Sequence, residues 1–180
     1  AASGGEIEIT GVEPVVLVEP LKALRKMGAG LRIFGAAGPK ARIRMVMERR
    51  PAGITIDTGP YPGFPTDLQS VFLAAEASGT GESQIRETVY EARFEAAVRL
   101  ASFGADVSVH GDTAIIKGRY PLLPGVVETP DLRGGAALLV AALSADGLSV
   151  VSDRGHLKRG YEDIGRDLRI LGADIEENIL

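Results

Sequence analysis

The chain contains no cysteine. Disulfides, thiolate nucleophiles and zinc–thiolate sites are thereby excluded together, and the absence fits a reducing compartment such as the cytoplasm. Only two histidines are present, His110 and His156, and they lie far apart in sequence. A histidine-based metal site would need carboxylates that no spacing identifies, so neither a metal nor a cofactor is expected. Both histidines read as structural. Basic charge is not in excess: 20 Lys and Arg against 24 Asp and Glu leave a net charge of −4. With no basic stripe interleaved with aromatics, non-specific nucleic-acid binding is excluded. No apolar run reaches the ~18 residues that would span a membrane, and the start of the chain carries no signal-peptide pattern.

What is present suits one globular domain. Its 180 residues are near the usual domain size of ~150, and 45% apolar with 24% charged residues can build a core under a polar surface. Ile7–Thr10 alternates as a strand does. Glu19-Pro20-Leu21 opens a helix whose Leu21, Leu24 and Met27 share a face and which Gly28 closes. Ala41–Met47 and Ile54–Asp57 read as strands around an Arg50-Pro51-Ala52-Gly53 turn. After the Pro60–Pro65 turn, Thr66 with Gln69 three residues on predicts a capping box, with Asp67 as the first helical residue. Leu68, Val71, Phe72 and Ala75 would be the buried stripe of that helix. Ser83–Val89 predicts a strand, and Ala92–Ser102 a helix with Phe94, Val98 and Ala101 inward. Ala105–His110 and Thr113–Lys117 predict a hairpin around Gly111-Asp112.

The plan then recurs. Val126–Glu128 is a strand, Thr129 an N-cap with Pro130 in the first turn, and Leu132–Ala145 a helix. Ser149–Ser152 is a strand, and Arg159–Leu171 a helix with Tyr161, Ile164, Leu168 and Leu171 on one face. Three units result, residues 1–57 (incomplete), 58–118 and 119–180, with no linker dividing them. Two glycine-rich stretches are set aside. Gly79-Thr80-Gly81 runs from helix to strand, the wrong order for a dinucleotide fingerprint, and Gly35-Ala36-Ala37-Gly38-Pro39-Lys40 lacks P-loop spacing.

Asp67 and Asp131 each sit at the mouth of a helix, beside a stiff proline-containing turn. Offsetting the helix dipole accounts for either acid alone, at ~0.3–1 kcal/mol. Their repetition also admits a general base or proton relay aimed at a common site. Arg93 and Arg159 fall at matching helix starts, where a cation opposes the dipole, and Arg133 follows Asp131 by two residues. Either carboxylates compensate these guanidinium groups or a phosphate-bearing ligand does. Tyr90 is a packing residue or a stacking platform.

The runs Thr58-Gly59-Pro60-Tyr61-Pro62-Gly63-Phe64-Pro65-Thr66-Asp67-Leu68-Gln69, Glu91-Ala92-Arg93-Phe94, Asp131-Leu132-Arg133-Gly134-Gly135-Ala136 and Arg159-Gly160-Tyr161-Glu162 resemble the UDP-N-acetylglucosamine enolpyruvyl (1-carboxyvinyl) transferases. The match extends from about Gly5 to Ile175, in order. Its Pro-Gly-Phe-Pro-Thr-Asp string separates these enzymes from the related shikimate-pathway synthase. The resemblance implies an α+β fold, an inside-out α/β prism of repeated βαβαββ units, three per domain, with the active site between two domains. It implies a transferase that moves the enolpyruvyl group of phosphoenolpyruvate to the 3-hydroxyl of UDP-N-acetylglucosamine, releasing phosphate, in peptidoglycan precursor synthesis. Asp67 then matches the acid that deprotonates the sugar hydroxyl, and Asp131 the acid that relays a proton at the methylene carbon. Arg133 and Arg159 match arginines that hold phosphoenolpyruvate. Val89 and Tyr90 line the uridine part of the site, and Arg93 is a cleft arginine.

The match covers only the domain at the C-terminal end of such enzymes. The Lys-Asn pair and the mobile loop of the other domain have no counterpart here. An isolated chain with one wall of the cleft is expected to be catalytically silent and to need the second domain as partner. A non-catalytic sugar-nucleotide-binding or interaction module with the same fold, or a purely structural domain, would keep the same residues for other ends.

Overall fold

The computed structural model describes residues 1–35, 38, 41–91 and 93–177. Ala36, Ala37, Pro39 and Lys40 of the glycine-rich stretch, and Ala92 at the expected helix start, lie outside the described residues.

Alternation builds the first sheet. β1 (Gly5–Thr10) places Glu6 and Glu8 on one face and Ile7 and Ile9 on the other, and pairs antiparallel with β3 (Arg42–Met47). β2 (Gly30–Phe34) pairs with the far edge of β3. Register sets Ile7 opposite Met45 and Met45 opposite Leu31, so one face is apolar, while Arg44 meets Glu6 at 2.6 Å on the other. Between β1 and β2, α1 (Val18–Lys26) starts with Glu19 and Pro20 in its first turn and buries Leu21 and Ala23, with Met27 at its end.

The second sheet has the order β4-β5-β7-β6. β4 (Thr55–Asp57) runs parallel to β5 (Glu82–Arg86), and β7 (Thr113–Lys117) pairs antiparallel with β5 and with β6 (Asp106–His110). β8 (Val126–Glu128) and β9 (Val150–Ser152) form a third, parallel pair. Each parallel pair is bridged by a helix, α2 (Gln69–Ala77) in the first case and α4 (Leu132–Ala142) in the second. α3 (Glu95–Leu100), prolonged by a 3-10 turn to Phe103, leads into β6, and α5 (Ile164–Ile170) follows β9.

α2 and α4 decide the architecture. Phe72, Leu73, Ala74, Ala75 and Ala77 of α2 and Gly134–Leu138 and Ala141 of α4 are buried. A helix apolar around most of its circumference must lie in the core. The two pack against each other, and the sheets lie outside them. Phe103, Leu100, Ile85, Ile116, Leu122 and Leu138, all fully buried, fill the space between helices and sheet. Each such side chain contributes about 1.5–3 kcal/mol. Helices within and sheets without make this the inside-out α/β prism, an α+β fold.

Several local expectations change. β4, placed with the first unit, is hydrogen-bonded to β5 and belongs to the second sheet. The strand expected over Ser83–Val89 ends at Arg86, because Glu87 folds back to accept the Val89 and Tyr90 amides. Phe94 is buried as expected, but Val98 is 73% exposed and Ala101 is exposed; Ala96, Ala97 and Leu100 point inward instead. The helix expected over Arg159–Leu171 is two pieces. Leu157–Arg159 is a 3-10 turn, Gly160 breaks it, and Asp163 caps α5 by accepting the Arg166 amide.

Candidate active site

The Pro60–Pro65 turn is rigid enough to fix the position of the acid-bearing segment after it. The Gly63 amide donates to the Pro60 carbonyl (2.7 Å) and the Gly59 amide to the Phe64 carbonyl (2.9 Å). A Cβ at Gly63 would lie 2.9 Å from the Pro60 oxygen, so only glycine closes this turn. Buried Phe64 anchors the turn edge-on against Phe72 of α2, with centroids 5.0 Å apart.

Thr66, Asp67 and Leu68 then form a 3-10 turn, and α2 begins at Gln69. The expected capping box is therefore absent. The Thr66 hydroxyl donates to Glu87 Oε2 (2.8 Å) and accepts from the Arg93 guanidinium (2.9 Å). Asp67 is not a cap either. Its carboxylate, 57% exposed, accepts from Arg133 at 2.6 Å and from Arg93 at 3.1 Å. Arg133 belongs to α4, so this acid joins the two strand–helix–strand repeats. The Arg133 hydrogen bond first, and Arg93 second, hold the Asp67 carboxyl below the usual carboxylate range.

Asp131 takes the opposite role. It is the N-cap of α4, its Oδ1 accepting the Arg133 and Gly134 amides at 2.8 Å each. Thr129, expected as the cap, donates its hydroxyl to Asp153 instead (2.6 Å). Arg93 and Arg159 do not stand at helix starts as the sequence suggested. Arg93 precedes α3 and lies over the Tyr90 ring, 4.3 Å from its centroid. Arg159 ends the 3-10 turn, on the solvent side. That turn packs on the start of α4: a Cβ at Gly135 would meet Leu157 Cδ2 and Thr129 Cγ2 at 3.0 Å. Val89 and Tyr90 are both exposed, on the turn that Glu87 holds.

Asp67, Arg93 and Arg133 thus meet directly, with Tyr90 under Arg93. Asp131 stands beside Arg133 through the backbone, and Arg159 follows on the neighbouring turn. Sequence reasoning missed Glu87 and Asp153, the acids that hold these turns. Their one signal is placement, since each directly follows the last residue of a strand and precedes a turn. Among the described residues no group of three His, Asp or Glu could hold a metal, and no helix is long and apolar enough to cross a membrane.

Comparison with known proteins places the chain in a family. Residues 1–168 match the family model of EPSP synthase (3-phosphoshikimate 1-carboxyvinyltransferase). The chain belongs to that family. Within the EPSP synthase family, its similarity is to the UDP-N-acetylglucosamine enzymes, as the sequence motifs implied. It is 39% identical over 176 residues to UDP-N-acetylglucosamine 1-carboxyvinyltransferase 3 of Symbiobacterium thermophilum, covering 98% of this chain and 40% of that one. Identity reaches 42% with the corresponding enzyme of Coprothermobacter proteolyticus, at the same coverage. The enolpyruvyl transferase NikO from Streptomyces tendae superposes with a TM-score of 0.82 at 29% identity, covering 97% of this chain and 42% of NikO. EPSP synthase from Acinetobacter baumannii, at 19% identity and a TM-score of 0.67, shares the fold. The chain spans about 40% of the length of the curated relatives it matches.

Proposed function

We propose that this chain is one domain, of three repeated units, of a transferase that moves the enolpyruvyl group of phosphoenolpyruvate to the 3-hydroxyl of UDP-N-acetylglucosamine, with release of phosphate. The reading rests on one observation above all, the Asp67 carboxylate shared between Arg133 and Arg93 on an exposed surface. The identity of about 40% to UDP-N-acetylglucosamine 1-carboxyvinyltransferases supports it.

In this reading Asp67 accepts the proton of the sugar 3-hydroxyl as oxygen attacks C2 of phosphoenolpyruvate. Asp131 serves the proton exchanged at the methylene carbon, and loss of phosphate from the tetrahedral intermediate restores the double bond. Arg133 and Arg159 bind the carboxylate and phosphate, Arg93 lines the cleft, and Val89 and Tyr90 face the uridine. An acid held by two guanidinium groups is a poor base. An incoming anion that draws Arg133 away would raise the basicity of Asp67 when substrate arrives. The second wall of the cleft, with the remaining phosphoenolpyruvate contacts and exclusion of water, is assigned to a partner domain, and the whole to peptidoglycan precursor synthesis in the cytoplasm.

The test is reconstitution. Mixed with the separately expressed partner domain of a relative, the chain should release phosphate only when both substrates are present, and Asp67→Ala should abolish release. Saturable UDP-N-acetylglucosamine binding without turnover would overturn the catalytic reading in favour of a binding module. No binding and no turnover would overturn both.

A further inference from the structure

Glu87 is 5% exposed, yet among the described residues it forms no ion pair. Its hydrogen-bond partners are all neutral donors, and they come from three separate segments. Oε1 accepts from the Thr58 hydroxyl at the end of β4 (2.8 Å) and from the Val89 (2.9 Å) and Tyr90 (3.0 Å) amides. Oε2 accepts from the Thr66 hydroxyl (2.8 Å). Thr66 is next to Asp67 and accepts from the same Arg93 guanidinium that binds Asp67. That guanidinium also rests on Tyr90. A closed circuit results: Glu87, Thr66, Arg93, Tyr90, and back to Glu87 through the Tyr90 amide.

A second copy of the device shows which part is structural. Asp153 follows β9 as Glu87 follows β5, and Thr129 follows β8 as Thr58 follows β4. Asp153 accepts the Thr129 hydroxyl (2.6 Å) and the amides of Gly155 (3.0 Å) and His156 (3.1 Å), which fastens the turn leading to Arg159. The Thr–acid–turn arrangement is therefore common to both repeats. Only the longer glutamate has a second hydroxyl partner, and that partner stands beside Asp67.

We propose that Glu87 is a positioning residue, which through Thr66 sets the Arg93 guanidinium against Asp67 and through two amides sets the Val89–Tyr90 turn, so that the acid and the facing wall of the site keep one spacing. The claim for ligand binding rests on the function proposed above; the claim for the Asp67 environment does not. Thr58 belongs to the shared, structural half of the device, and Thr66 to the half that reaches the site.

The experiment separates these halves in the chain as it stands. The Asp67 carboxyl carbon is followed by NMR through a pH titration in the wild type, Glu87→Gln, Thr66→Val and Thr58→Val, with thermal midpoints measured alongside. Glutamine keeps an acceptor for Thr58 and the amides but offers Thr66 an NH2 group. Glu87→Gln and Thr66→Val should raise the Asp67 midpoint toward the ordinary carboxylate range, while Thr58→Val should lower thermal stability and leave that midpoint in place. UDP-N-acetylglucosamine, the probe ligand, should bind about tenfold more weakly to the first two variants, the loss of one well-made hydrogen bond. Unmoved Asp67 midpoints in both would overturn the proposal and leave Glu87 as a structural acid like Asp153. If Glu87→Gln fails to fold, Thr66→Val, which retains the other three bonds, decides alone. If the wild type alone does not bind the probe, binding is read in the reconstituted pair of domains, where its absence overturns the substrate reading; the Asp67 midpoints of the isolated chain still decide whether Glu87 positions the acid.

Discussion

The β4–α2–β5 and β8–α4–β9 regions repeat one strand–helix–strand plan, yet they use their acids and their cores differently. Asp131 commits Oδ1 to the second and third amides of α4, those of Arg133 and Gly134, whereas Asp67 commits its carboxylate to two guanidinium groups. An anion can displace a carboxylate from an arginine; nothing displaces Asp131 without fraying a helix. The first carboxylate is thus free to exchange partners, while Oδ1 of the second is held by its helix. Within the core the contrast reverses. The buried face of α4 is glycine, alanine and leucine, while α2 buries Gln69 and Glu76. Glu76, 1% exposed, accepts one bond, from the Ser83 hydroxyl at 2.6 Å, and its Oε1 has no partner among the described residues.

The largest expected effect breaks the comparison at Glu76. Burial raises its carboxyl from 4.5 to about 7, against the smaller opposing effect of the Ser83 hydrogen bond. The unfolded chain ionises this group first, so its stabilising proton is fully held below pH 4.5 and the stability it contributes is lost as pH rises to about 7. The loss is about 3 kcal/mol. Asp67, Glu87 and Asp153, all held low, lose their contributions only in more acidic solution, as pH falls through their folded values. Urea unfolding of the wild type and Glu76→Gln between pH 4.5 and about 7 checks this: the variant should lack the decline. An equal decline in both would mean that Glu76 is solvated in solution.

The next effect tests α4. Gly135→Ala places a methyl group 3.0 Å from Leu157 and Thr129, in the seam between α4 and the turn before Arg159. Overpacking there should cost about 1–3 kcal/mol. Chemical denaturation would measure it, and an unchanged midpoint would mean that the turn yields freely and does not fix Arg159.

How much of this is legible in the sequence depends on the range of each interaction. The strands of the second sheet, the hairpin and α1 are readable, because period and turn residues are local; of the stripe expected on α2, Phe72 and Ala75 are buried but Leu68 and Val71 only half-buried. The meeting of Asp67 with Arg133 is implied only by family resemblance, since it joins two repeats through folding. Thr66 and Thr129 read wrongly as caps because a hydroxyl before a helix has the same local pattern whether it turns to its own helix or to an acid across the sheet. The Arg159 helix reads too long because Gly160 looks tolerable in a helix until Leu132 fills the space beside it. Glu87 is missed for the same reason: two of its four donors, the Thr58 and Thr66 hydroxyls, come from distant segments and reach it only once β4 lies beside β5.

The smallest effects sharpen the contrast between the two acids, and they should rank in opposite order for stability and for ligand. Asp131→Ala removes an N-cap and should cost about 1 kcal/mol. Asp67→Ala removes an exposed ion pair and should cost less than about 0.5 kcal/mol, since such pairs trade water contacts for little gain. It also frees Arg133 and Arg93 together, so the affinity for a small anion such as phosphate should rise rather than fall at this surface. Thermal unfolding and a phosphate titration of the two variants read both quantities. If Asp67→Ala proved the more destabilising, the carboxylate would be a structural bridge between the repeats, and an acid that the fold cannot release would be a poor candidate for the proton acceptor.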